Sequence, residues 1–191
     1  MQIRKYPFVL AIAVFSLAVS AGCQKPAVEA ARQTDLTPKK ILSIDDEKFL
    51  HAAEKAELRQ NSFAQLAEER SKNAKIQAFA TKVTGDMSVA LTELKDLMKA
   101  KHMTLPAEFA AEVHSDAAER LRNVSDGAFD HEFVSLMSVE GQETVRIFDS
   151  AAQTAADPDL RNYALRQLPA LRANYDKASD LEKTLTEKPL D

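Results

Sequence analysis

The sequence predicts an all-α protein, an up-down four-helix bundle with an extra short helix, preceded by a signal peptide and a flexible tether. Three observations carry this expectation. Ala, Glu, Lys and Leu are abundant, whereas the 191 residues hold four glycines and no tryptophan, a composition that suits helices. Apolar residues recur at steps of 3 and 4, with no alternating apolar and polar run to suggest a strand. Breakers at 103–106, 123–127 and 156–158 divide the pattern into lengths that fold back rather than continue as one extended coiled coil.

At the N-terminus, Arg4 and Lys5 precede an apolar run from Phe8 to Val19, followed by Ser20, Ala21, Gly22 and Cys23. This is the pattern of a signal peptide, and the run falls short of the ~20 apolar residues a spanning helix needs. Val19-Ser20-Ala21-Gly22 before Cys23 resembles a bacterial lipobox, with Ser20 where Leu is usual. Small residues suit a peptidase that accepts an extended chain, and the thiol can receive a diacylglyceryl group. Stable anchorage needs more than one acyl chain, since each buried CH₂ contributes about 0.8 kcal/mol, and a triacylated cysteine meets that need. Cys23 is the sole cysteine, so once it is acylated the chain has no thiol for a disulfide, a metal or nucleophilic catalysis.

The expected organisation is a signal peptide over 1–22, the lipidated Cys23 and tether over 23–42, and the helical domain over 43–187. The stretch QKPAVEAARQTDLTPKKIL after Cys23 is polar, with two prolines and little periodicity, as a tether should be. Gln24 stands where Asp marks inner-membrane retention in lipoproteins of this kind, so the resemblance favours an outer-membrane lipoprotein with a periplasmic domain. Removing Arg4 and Lys5 with the signal leaves two fewer than 25 basic groups against 29 acidic ones, a net charge of −6. Such a surface disfavours nucleic acid. The expected partners are the membrane, through the lipid, and an envelope protein; oligomeric state stays open.

The first helix opens at Ser43, with Asp46 three residues on as in a capping box, and runs to Arg70. Its apolar seam holds Phe49, Ala53, Ala56, Phe63 and Ala67. A second helix starts near Ser71 or Asn73 and ends around His102, with Ile76, Ala80, Val83, Ala90, Leu94 and Leu97 inward. A shorter one spans Pro106 to Leu121. Asp126 caps the third long helix, whose inward residues are Phe129, Phe133, Met137, Val145, Phe148 and Ala152. Asp157-Pro158 opens the last as an N-cap followed by proline. There Leu160, Ala164, Gln167, Leu171, Asn174, Ala178, Leu181 and Leu185 alternate steps of 4 and 3, and Pro169 predicts a kink or local break.

Bundles build metal sites by turning Glu-x-x-His pairs inward, and no acid here is followed by His at the third position. No two of His51, His102, His114 and His131 share a helical face. Phosphate loops, nucleophile elbows and His-Glu-x-x-His are also missing. Glu54 with Glu57, and Glu68-Glu69, read as solvated faces. No catalytic residue, cofactor or metal is expected.

Phe49-Leu50, Phe79-Ala80 leading to Asp86, Leu105-Pro106, Phe129-Asp130 and Leu168-Pro169-Ala170-Leu171 together resemble the bacterial envelope family called domain of unknown function 4142, over about residues 45–182. The resemblance implies a ferritin-like bundle. It also implies Asp-His in the second helix, His in the third and His after Leu-Pro in the fourth, with a Glu in the first. Here those places hold Met87 after Asp86, Gly141, Asn174 and Gln60.

The helical seams reach the same four positions independently: Gln60 between Ala56 and Phe63, Met87 between Val83 and Ala90, Gly141 between Met137 and Val145, Asn174 between Leu171 and Ala178. Amides and a thioether are poor ligands for iron, manganese or zinc. The expectation is a vestigial core site, repacked around a hydrogen bond from Gln60 to Asn174 with Met87 filling the room beside Gly141. The favoured function is a non-catalytic envelope lipoprotein that binds a partner or maintains the envelope. The alternative is a metal-binding or stress-protective ferritin-like protein using residues such as Asp86, Asp130 and Glu140. A third is a dimer through Leu105, Phe109 and Val113.

Overall fold

The computed structural model describes residues 42–103 and 116–187, all within one compact unit, Lys40–Asp191. The signal peptide, Cys23, nearly all of the tether and the stripe Leu105, Phe109, Val113 lie outside the described residues. Among those described there are five helices and no strand: α1 Ile44–Arg70, α2 Ala74–Ala100, α3 Asp116–Asn123, α4 Asp126–Thr154 and α5 Pro158–Glu187. None of them is long and apolar enough to cross a membrane.

Helix ends follow local chemistry, with two departures. Ser43 Oγ accepts from the Asp46 amide at 3.1 Å, as an N-cap does. The Asp46 carboxylate does not return to close a capping box; it accepts from the amides of Ala156 at 3.0 Å and Asp157 at 3.1 Å, pinning the start of α1 to the α4–α5 turn. Asn73 caps α2 through the Lys75 amide. The α4 N-cap is Ser125 rather than Asp126, because Arg70 draws the Asp126 carboxylate into a 2.8 Å ion pair. Asp157 Oδ1 accepts from the Asp159 amide at 2.8 Å and Pro158 takes the first helical position, as expected. After α2, His102 adopts φ 56° while Met103 N donates to Met98 O and His102 N to Lys99 O, a Schellman stop.

Helix α1 packs on α2 and α4, α5 packs on α4 and α2, and α3 leans on α1 and α4. Three tertiary contacts fix direction. Asp46 meets Ala156 and Asp157, and Lys101 meets Asp157 at 2.9 Å, so the N-termini of α1 and α5 share an end with the C-termini of α2 and α4. At the opposite end Arg70 meets Asp126. The up-down reading with short turns describes the pairs α1–α2 and α4–α5. The contacts at the two ends make α2 and α4 run the same way, as two of the helices of a bundle with one crossover connection do.

The core is continuous. At one end Phe49 meets Phe148 edge-on at 5.3 Å, and both rings contact Tyr163; at the other Phe79 meets Phe133 at a tilt and Phe133 stacks on Phe129. Arg70 lies 4.4 Å over Phe129 and donates to the carbonyls of Leu121, Arg122 and Val124, fastening the end of α3 to α1. Pro169 sits inside α5, which continues past it as one helix to Glu187. Its missing N–H leaves the carbonyl of Leu165 without a helical partner, and Leu165 is exposed, where water can meet it.

Candidate functional site

All four inward positions, Gln60, Met87, Gly141 and Asn174, are buried. The expected hydrogen bond between Gln60 and Asn174 is not made. Gln60 Nε2 donates to Thr144 Oγ1 at 2.7 Å, and that hydroxyl donates to Glu140 O at 2.7 Å, joining α1 to α4. Asn174 Nδ2 donates to Asp86 Oδ2 at 2.9 Å and its Oδ1 accepts from Lys82 Nζ at 3.0 Å, joining α5 to α2. Each amide found a complementary partner on the nearer helix. Nor does Met87 supply the nearest atoms beside Gly141: a Cβ there would lie 3.3 Å from the Cα of Tyr175. Met87 instead fills the apolar core.

The reading of Glu54 and Glu57 as a solvated face is overturned. Glu54 is 1 % exposed and Glu57 wholly buried. The reason is the width of the buried face of α1. Besides the seam from Phe49 to Ala67, a second stripe, Leu50, Glu54, Glu57 and Ala64, is buried one residue along. A helix held between two neighbours buries more than a two-position seam. The steps 4, 3 and 7 between apolar ends were the available signal, and the acids masked it.

Tyr163, on α5, donates its hydroxyl to Glu57 Oε1 at 2.5 Å and stands 3.2 Å from the carbonyl oxygen of Ala90 on α2. Glu54 Oε2 and Glu57 Oε2 are buried without a hydrogen-bond partner. Burial pushes the Glu57 carboxyl up to about 8; the Tyr163 hydrogen bond opposes this, and the charges of Glu54 and Glu93 add to it. Burial also raises Glu54, with Lys95 pulling the other way. Tyr163 is raised as well, by burial and then by Glu57, so the phenol stays protonated. Three helices thus converge on two buried acids and a phenol, an arrangement able to hold a proton in the core.

The other residues considered for a metal are engaged separately. Asp86 is paired with Lys82 and Asn174, and Glu140 with Arg59. Asp130 lies beside Arg70 and Asp126 around a surface hollow at the start of α4. His51 is half-buried, His102 and His131 are exposed, and His114 is outside the described residues. Among the described residues, no three His, Cys, Asp or Glu side chains are grouped to hold a metal ion.

The profile of the family described as domain of unknown function (DUF4142) matches residues 28–181. The chain belongs to that family. The match starts upstream of the expected 45–182 span and ends beside it. A crystal structure of a DUF305 fragment from Deinococcus radiodurans is similar to this DUF4142 chain with TM-score 0.64 and 12 % identity, over 75 % of this chain and 99 % of that one. At that identity the likeness is one of fold. No curated protein shows significant similarity to the chain.

Proposed function

We propose that this DUF4142 protein is a lipoprotein of the cell envelope, held to the outer membrane through acylated Cys23, whose bundle acts by contact with an envelope partner rather than by catalysis. The observation that supports a contact role is the occupation of the four inward positions. Gln60 and Asn174 spend their amides on Thr144, Asp86 and Lys82, Met87 is core, and Gly141 abuts Tyr175. Ligands at these places would have to displace interhelical bonds. Anchoring is supported by the run from Arg4 to Cys23 and by the thiol being single.

Two measurements test the reading. Cys23→Ser should move the protein from the membrane to the soluble fraction; retention in the membrane would refute anchoring through the thiol. Elemental analysis of protein lacking residues 1–23 should find no stoichiometric transition metal. A stoichiometric metal would favour the second reading, a metal-binding or stress-protective ferritin-like protein, for which the buried oxygens of Glu54 and Glu57 are the specific support.

A further inference from the structure

We propose that Glu57 keeps its carboxyl proton in the core, beside Glu54 and Tyr163, and makes the packing of α1 sensitive to pH. The two acids lie three residues apart on α1, both inside, and each has one oxygen with no partner. As two ions they offer acceptors only, so neither can satisfy the other. A single proton turns one of them into a donor. Tyr163 cannot supply that donor, because its one hydrogen is directed at Glu57 Oε1.

The surroundings favour keeping the proton. On α1, His51 is one turn before Glu54. From α2, Glu93 adds negative charge at Glu57, and Lys95 is the cation acting on Glu54. From α5 come Tyr163 and Arg166, the latter occupied 3.4 Å from Glu93. Helix α4 contributes the ring of Phe148 against Tyr163. A second negative charge here would have little compensation, and burying one uncompensated is costly.

Linkage gives the direction. The unfolded acid releases its proton near 4.5 and folded Glu57 holds it to about 8. Between those values the folded state binds more protons, so stability falls as pH rises, by about tenfold in the folding constant per pH unit. Above about 8 the fall levels off, because folded Glu57 has ionised too and then repels Glu54 on its own helix and Glu93 on α2.

The test is urea unfolding of the protein purified from membranes, from pH 5 to 9, for wild type, Glu57→Gln and Glu54→Gln, with infrared difference spectra at pH 7. Glutamine keeps an acceptor and supplies a donor without titrating. Expected are a wild-type pH profile steeper than that of Glu57→Gln by about tenfold per unit, a protonated-acid carbonyl band that Glu57→Gln removes, and a titration of that band moved to lower pH in Glu54→Gln. Parallel profiles, or no such band, would overturn the proposal. So would Mn²⁺ or Zn²⁺ bound stoichiometrically to wild type and lost in either variant, since a metal would then occupy the place given to the proton. If Glu57→Gln does not fold, Glu54→Gln and the wild-type band still decide.

Discussion

Gly141→Ala measures how closely α4 and α5 approach. A Cβ at Gly141 would lie 3.3 Å from both the Cα and the Cβ of Tyr175 and 3.5 Å from its Cδ2, against roughly 3.5–4.0 Å for comfortable carbon contacts. One of those atoms is backbone, so relief requires the two helices to part rather than a side chain to swing. Alanine gains about 1 kcal/mol of helix propensity over glycine, and overpacking costs about 1–3 kcal/mol. The balance is a net loss of about 1 kcal/mol. Gly85, inside exposed α2 surface, is the control: a Cβ there meets nothing within 4 Å, so Gly85→Ala should gain about 1 kcal/mol. Two chemically identical changes should therefore differ by about 2 kcal/mol in equilibrium urea unfolding. Equal stabilisation by both would refute the close approach. By the same geometry, any side chain at 141 would press on Tyr175 while the helices keep this spacing.

Two further substitutions probe the ends of the bundle. Arg70→Ala removes the donor to three carbonyls and the partner of Asp126; a loss of about 3 kcal/mol and faster proteolysis around 116–125 are expected, and unchanged proteolysis would contradict the fastening role. Lys101→Met takes the ammonium from Asp157, whose side chain is 2 % exposed. Breaking such a pair from one side costs about 3–5 kcal/mol, and a change under 1 kcal/mol in urea unfolding would show that Asp157 does not depend on it.

Much of the fold was legible because helix seams and caps are local signals. The steps in Leu160, Ala164, Leu171 and Leu181, the cap at Ser43 and the Asp157-Pro158 start all depend on a few neighbouring residues, and the structure places them as read. Partner choice was not local. Gln60 and Asn174 were correctly set inward, but which groups stood opposite them depended on how α4 and α2 lie against α1 and α5. Asp126 left its capping role because Arg70 arrived from another helix.

By itself, then, the sequence determined an all-α chain, the starts of α1, α2 and α5, its inward seams and the lone thiol at Cys23. Tertiary structure decided that Glu54 and Glu57 are core residues. A carboxylate on a helix looks solvated while only its own helix is considered; burial arises when α2, α4 and α5 close over α1 and Tyr163 brings its hydroxyl to Glu57. Desolvation by those neighbours, a property of no single segment, turns two ordinary surface-type acids into a place where a proton is held.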